Sequence, residues 1–219
     1  MADIELVVNT GDVLGEVPIW CPREGALYWM DGFKPALHRL DSATGDVTSW
    51  TPPEKYGSFA LREHGGFVVA GRKQIALFDP ETGAWDPICI PEPDGPDNFL
   101  NDGRCDRQGR FWVGSLSRMI DAPTGRLHRL DADHTLETVD KGIWVSNGVA
   151  FSADGGTMYF ADSHIKRIYN YDIDPESGLA SGKRVYADAS DRVGIPDGAT
   201  IDSEGCLWHA EFDFAMTSG

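Results

Sequence analysis

Ser146-Asn147-Gly148-Val149-Ala150-Phe151-Ser152-Ala153-Asp154-Gly155-Gly156-Thr157-Met158-Tyr159-Phe160-Ala161-Asp162 is the stretch on which the reading of this chain turns. It starts at an amide side chain, runs into an apolar strand, breaks at a Gly pair and resumes as an aromatic strand. An alternating strand, Arg167-Ile168-Tyr169-Asn170-Tyr171-Asp172, and a turn, Pro175-Glu176-Ser177-Gly178, complete the unit. Outward from here the same order recurs. The starts are Glu16, Gly57, Asn101, Asn147 and Asp197, spaced by 41, 44, 46 and 50 residues. The matching aromatic strands centre on Tyr28-Trp29, Phe67-Val68, Phe111-Trp112, Tyr159-Phe160 and Leu207-Trp208. The third strand recurs almost word for word, as Leu37-His38-Arg39-Leu40-Asp41 and Leu127-His128-Arg129-Leu130-Asp131. Strand repeats of this length specify a propeller or an array of four-stranded antiparallel blades.

The fold class expected is therefore all-β, a β-propeller occupying residues 1–219 as one domain. Residues 4–9 read as a further strand, ending in a Thr10-Gly11-Asp12 turn. No helical period persists. The fifth repeat reaches its aromatic strand and then only Asp213-Phe214-Ala215-Met216-Thr217-Ser218-Gly219. About four and a half blades are thus expected, incomplete at the C-terminus, because a ring that lacks blades leaves strand edges unpaired.

The chain carries 19 basic and 35 acidic residues, a net charge of −16. That balance disfavours nucleic acid and anionic membranes as partners. No apolar run reaches membrane-spanning length, and Met1–Leu6 lacks the basic and apolar segments of a secretory signal. Cys21, Cys89, Cys105 and Cys206 form no C-x-x-C pair and read as buried free thiols of a cytoplasmic protein. No nucleophile elbow, H-E-x-x-H or phosphate loop is present. His38 and His128 hold equivalent places and read as structural; His164 and His209 are placed nearer the channel.

Equivalent positions of a propeller lie around one axis, so the repeat starts carry the chemistry. Glu16, Asn147 and Asp197 offer two carboxylates and an amide, an oxygen set suited to Ca²⁺ or Mg²⁺, with Zn²⁺ or Mn²⁺ as alternatives. Asn101 could orient a substrate or stabilise a developing oxyanion. The competing reading is that Asn-Gly and Asp-Gly are ordinary turn words. Glu16 weakens it, since Gly15-Glu16-Val17-Pro18 is no favoured turn.

Four segments carry a resemblance: Gly15-Glu16-Val17-Pro18-Ile19-Trp20, Asn101-Asp102-Gly103-Arg104-Cys105-Asp106, Ser146-Asn147-Gly148-Val149-Ala150-Phe151 and Ile195-Pro196-Asp197-Gly198. In this order the chain resembles the senescence marker protein/regucalcin/gluconolactonase family. The resemblance implies a six-bladed propeller that hydrolyses a small-molecule sugar-acid lactone. It implies one divalent metal on Glu16, Asn147 and Asp197 and substrate contact at Asn101; Asp197 is then the expected general base, with a metal-bound hydroxide as the competing nucleophile. The sequence departs at Phe99, where many members carry an Arg that contacts substrate. An apolar ring there admits a second reading, an esterase for a less polar lactone or ester. A catalytically silent calcium-binding or interaction propeller is the third.

Overall fold

Alternating strands closed by Asp-centred turns build every sheet. In Asp41-Ser-Ala-Thr-Gly45 the Asp41 carboxylate accepts the N–H groups of Ala43 and Thr44 at 3.0 and 3.2 Å, and Gly45 donates to the Asp41 carbonyl at 2.8 Å. Asp79 repeats the pattern with Glu81, Thr82 and Gly83, and Asp174 with Ser177 and Gly178. The three closing glycines have φ of 78°, 75° and 74°, a left-handed conformation that costs glycine little. This is the physical content of the Asp-x-x-x-Gly signature.

The computed structural model describes residues 5–93, 95 and 97–213. They form 18 strands and, among the described residues, no helix. By backbone proximity they fall into two compact units, Met1–Lys55 and Tyr56–Gly219. The first unit is a single antiparallel sheet, β1(Gly15–Cys21), β2(Ala26–Asp31), β3(Ala36–Asp41) and β4(Val47–Trp50), paired in that order. Trp29 of β2 and His38 of β3 both reach Asp12, at 2.9 and 3.0 Å, and His38 meets Ser49 of β4 at 2.7 Å. One carboxylate from the leading loop thus ties two strands of the blade together, and His38 extends the tie to β4.

In the second unit three more four-stranded blades follow. They are β5(Tyr56–Leu61), β6(Phe67–Gly71), β7(Ile75–Phe78), β8(Trp85–Cys89); β9(Asn98–Cys105), β10(Phe111–Ser117), β11(Gly125–Leu130), β12(Leu136–Ile143); and β13(Ser146–Phe151), β14(Thr157–Asp162), β15(Arg167–Ile173), β16(Ala180–Asp188). The fifth repeat contributes two strands, β17(Ile195–Ile201) and β18(Leu207–Phe212). The first strands of successive sheets run side by side, β5 by β9, β9 by β13 and β13 by β17. The blades of a β-propeller expected from the repeat are therefore present.

The core lies between sheets. Trp112, Leu127 and Ile143 of one blade pack on Phe151, Met158, Phe160 and Tyr171 of the next. Ala60, Val68 and Ile75 pack on Leu100, Phe111, Val113 and Leu130. Burying each large side chain of these sets contributes about 1.5–3 kcal/mol. His128 repeats the role of His38: its ring meets Glu92 at 3.1 Å and Thr138 at 3.2 Å. Glu92 also accepts from Ser115 at 2.6 Å and Asn98 at 2.7 Å.

Two expectations are corrected. Residues 5–9 form no strand; Leu6 and Val7 are exposed and no described strand pairs with them, so the apolar alternation there has no ladder to join. Of the four free cysteines only Cys21 is fully buried; Cys89 and Cys105 are half-buried, and Cys206, in the turn before β18, is exposed. The reading of residues 214–219 lies outside the described residues. No helix among the described residues is long and apolar enough to cross a membrane.

Candidate active site

Each repeat start lies at a β-bulge. The register shifts between Glu16 and Ile19 on β1, Tyr56 and Ser58 on β5, Leu100 and Gly103 on β9, Asn147 and Ala150 on β13, and Pro196 and Ala199 on β17. A bulge breaks the strict alternation of side chains and re-aims the residue beside it. The Asn-Gly and Asp-Gly pairs are thus not loop turns but interruptions within strands. Val17 and Gly148 take positive φ, 51° and 62°, inside two of them. In the first unit, Glu16 lies half-buried at the edge of its bulge, opposite Met30.

The second unit brings Asn101, Asp102, Asn147 and Asp197 together. Asn101 Nδ2 donates to Asn147 Oδ1 at 3.0 Å and to the Ser146 carbonyl at 2.8 Å. Asn147 is buried, and its Nδ2 donates to Ser163 Oγ at 2.9 Å, which fixes the amide with its oxygen towards Asn101. Asp102 accepts from the Val149 N–H at 2.9 Å. A Cβ at Gly148 would lie 3.0 Å from the Asp197 carbonyl oxygen and 3.1 Å from the Ala161 Cβ, so glycine is what lets β13 approach β17 this closely. The missing side chain at Gly57 has a similar reason. A Cβ there would lie 2.5 Å from the Leu100 carbonyl oxygen and 2.6 Å from the Asn101 Cα. The second repeat offers no ligand because the backbone of β9 occupies the space.

Both N–H bonds of the Asn101 amide are engaged by protein oxygens. That removes it as an oxyanion donor in this arrangement and leaves its Oδ1 to accept from a substrate hydroxyl. Burial raises the Asp197 carboxyl above its ordinary value, and the neighbouring Asp102 charge raises it further, against one opposing hydrogen bond from Gly198. Burial likewise raises Asp102, opposed by the Val149 N–H and the charge of Arg104. Among the described residues no basic side chain offsets Asp197. A half-buried carboxylate and a fixed amide oxygen, lacking a cationic neighbour, are the chemistry of a hard divalent cation's donors. Among the described residues no cluster of three His, Cys, Asp or Glu side chains could hold a metal. The set expected from the sequence contains only two such residues, Glu16 and Asp197, the third donor being an amide.

Phe99, two residues before Asn101 on β9, is not bare. The guanidinium carbon of Arg72 sits 3.9 Å over its ring centroid, and the Leu100 N–H donates to the Arg72 carbonyl at 3.1 Å. A cavity of about 230 Å³ is lined by Lys73, Glu92, Asn98, Phe99, Leu100 and Ser115, but Asn101, Asn147 and Asp197 are not among its walls. The Glu92 carboxylate in it is held by His128, Ser115 and Asn98, so it belongs to the blade's internal bracing. His164 stacks on Trp144 with centroids 4.5 Å apart, and His209 meets the Ala210 carbonyl at 3.3 Å. Asp102 and Arg72 escaped the sequence reading. Asp102 sits in an Asn-Asp-Gly turn word, and Arg72 meets Phe99 only after β6 and β9 are assembled.

The chain is 40% identical over 96% of its length to a 6-deoxy-6-sulfogluconolactonase of Pseudomonas putida, spanning 72% of that protein. It is 37% identical over 94% of its length to an L-arabinolactonase of Azospirillum brasilense, spanning 70%. Among solved structures it superposes on a calcium-binding regucalcin of Agrobacterium tumefaciens with a TM-score of 0.87 and 29% identity, covering 94% of this chain and 70% of that one. The family model described as the SMP-30/Gluconolactonase/LRE-like region matches residues 14–217, and the chain belongs to that family.

Proposed function

We propose that this chain is a lactone hydrolase that opens a sugar-acid lactone at the cluster of Asn101, Asn147 and Asp197. The observation that carries the reading is the Asp197 carboxylate, raised by burial and by Asp102, beside the Asn101–Asn147 hydrogen bond. Relatives named for lactones at 40% and 37% identity support the reaction class. An apolar ring at Phe99 alone would favour a less polar ester; with Arg72 over it, a polar lactone is the better-supported substrate.

The reaction forms one C–O bond and breaks another. Water adds to the lactone carbonyl carbon, and Asp197 takes the proton that the water loses. The ring C–O bond then breaks, and the departing ring oxygen recovers a proton to give the hydroxy acid. A raised carboxyl is a stronger base than an ordinary aspartate once ionised, and a cation held on the same carboxylate lowers that basicity. Asn101 Oδ1 accepts from a substrate hydroxyl, and Asn101 Nδ2 keeps the Asn147 oxygen in place. Asn147 and Asp197 are the proposed holders of a divalent cation. Such a cation supplies Lewis-acid polarisation of a carbonyl.

The test is glucono-δ-lactone hydrolysis in a pH-stat, corrected for the uncatalysed rate, before and after chelation and after return of Ca²⁺, Mg²⁺, Mn²⁺ or Zn²⁺. Loss on chelation and recovery with a metal support the reading. Full activity in chelator removes the cation from it, and no activity under any condition removes the lactonase.

A further inference from the structure

We propose that Arg72, carried on the ring of Phe99, is a specificity residue that selects lactones bearing an anionic substituent away from the ring carbonyl. This deepens, and rests on, the lactonase reading above. Arg72 follows β6 directly and is exposed, yet it is held from two sides. Its guanidinium lies over the Phe99 ring at 3.9 Å, and its carbonyl accepts from Leu100 at 3.1 Å. A cation–π contact uses the charge of a guanidinium and does not consume the hydrogen-bonding capacity of its five N–H bonds.

Those bonds have no protein acceptor among the described residues. Several other arginines of this chain, which has 35 acidic and 19 basic residues, do find a carboxylate. Arg110, Arg129, Arg167, Arg184 and Arg192 each pair with a carboxylate. The neighbouring Lys73 pairs with Asp97 at 2.6 Å. Arg72 is thus a positioned cation whose donors remain available. Phe99 lies roughly 7 Å along the strand from Asn101 at the usual strand rise. That is the reach of a sugar lactone from its carbonyl end to a group at the end of its carbon chain. A planar fork of donors suits an oxyanion such as a sulfonate, phosphate or carboxylate, and suits a neutral hydroxyl less well.

The experiment compares wild type, Arg72→Gln and Arg72→Lys on glucono-δ-lactone and on the same lactone carrying a phosphate or a sulfonate at C6. The readout is the ratio of kcat/KM for each charged lactone to that for the neutral one. The proposal predicts that Arg72→Gln lowers this ratio about tenfold or more for at least one charged lactone, mainly through KM. Arg72→Lys should retain part of it, and the wild-type ratio should fall as salt is added. The two charged lactones separate sulfonate from phosphate as the favoured anion. A ratio that Arg72→Gln leaves within about twofold for both overturns the proposal. So does a wild type that opens only the neutral lactone, which leaves the lactonase reading standing. A wild type that opens none of the three overturns both.

Discussion

Replacing Gly57 with Ala tests whether the contact between β5 and β9 holds Asn101 where the chemistry needs it. The new Cβ would meet the Leu100 carbonyl oxygen at 2.5 Å, the Asn101 Cα at 2.6 Å and the Asn101 carbonyl oxygen at 2.8 Å. All three are backbone atoms, so no rotamer relieves the clash. Restoring ordinary contact moves one strand off the other by roughly 0.9 Å. The Ser58 Oγ to Asn101 carbonyl hydrogen bond, 2.7 Å long, would then be stretched past useful length. Overpacking of this kind costs about 1–3 kcal/mol, which in a chain of this size lowers Tm by roughly 2–12 °C. A displacement near 1 Å in a group that positions substrate costs about a hundredfold in rate. Gly57→Ala should therefore show both losses in thermal unfolding and in lactone kcat/KM. Gly15→Ala is the control, since nothing lies within 4 Å of a Cβ there and its φ is not positive. A Gly57→Ala protein with the Tm and kcat/KM of Gly15→Ala would refute the argument.

Three further outcomes are expected. Asn101→Ala removes the donor to Asn147 Oδ1 and the Ser146 carbonyl, and should lower kcat/KM by about ten- to a hundredfold in steady-state assays. Burial and the Asp102 charge raise the Asp197 carboxyl in the cation-free protein, so cation binding should weaken on acidification at a higher pH than an ordinary aspartate would give, and this limb should move down in Asp102→Asn, which removes one cause of the shift, as titration of Ca²⁺ at a series of pH values would read. Burial would raise the Glu92 carboxyl, but hydrogen bonds from His128, Ser115 and Asn98 hold it below its ordinary 4.5. Its contribution to stability is then fully present above that pH and is lost as pH falls through the lower folded value, so urea unfolding of Glu92→Gln should show a weaker loss of stability in that acid window than wild type.

Much of the fold was legible because blades repeat their chemistry. Asp-x-x-x-Gly turns, aromatic second strands and His-bearing third strands all follow from local rules, and each appears where the sequence placed it. The positions of Asn101, Asn147 and Asp197 were legible for the same reason. Their surroundings were not. A bulge and a turn share the words Asn-Gly and Asp-Gly, and only strand pairing tells them apart. Asp102 matters because β9, β13 and β17 converge on it, and Arg72 because β6 delivers it to β9; neither contact has a signature in sequence spacing. The alternation at residues 4–9 suggested a strand, and its described part, 5–9, has no partner among the described residues.

The most direct test of the account is the rate at which the 219-residue chain opens glucono-δ-lactone with and without the Asp197 carboxylate, measured by proton release at constant pH with divalent cation present. The account predicts hydrolysis well above the uncatalysed rate for the wild type and hydrolysis at the uncatalysed rate for a folded Asp197→Asn protein. Equal rates for the two proteins, whether both fast or both at background, would contradict it.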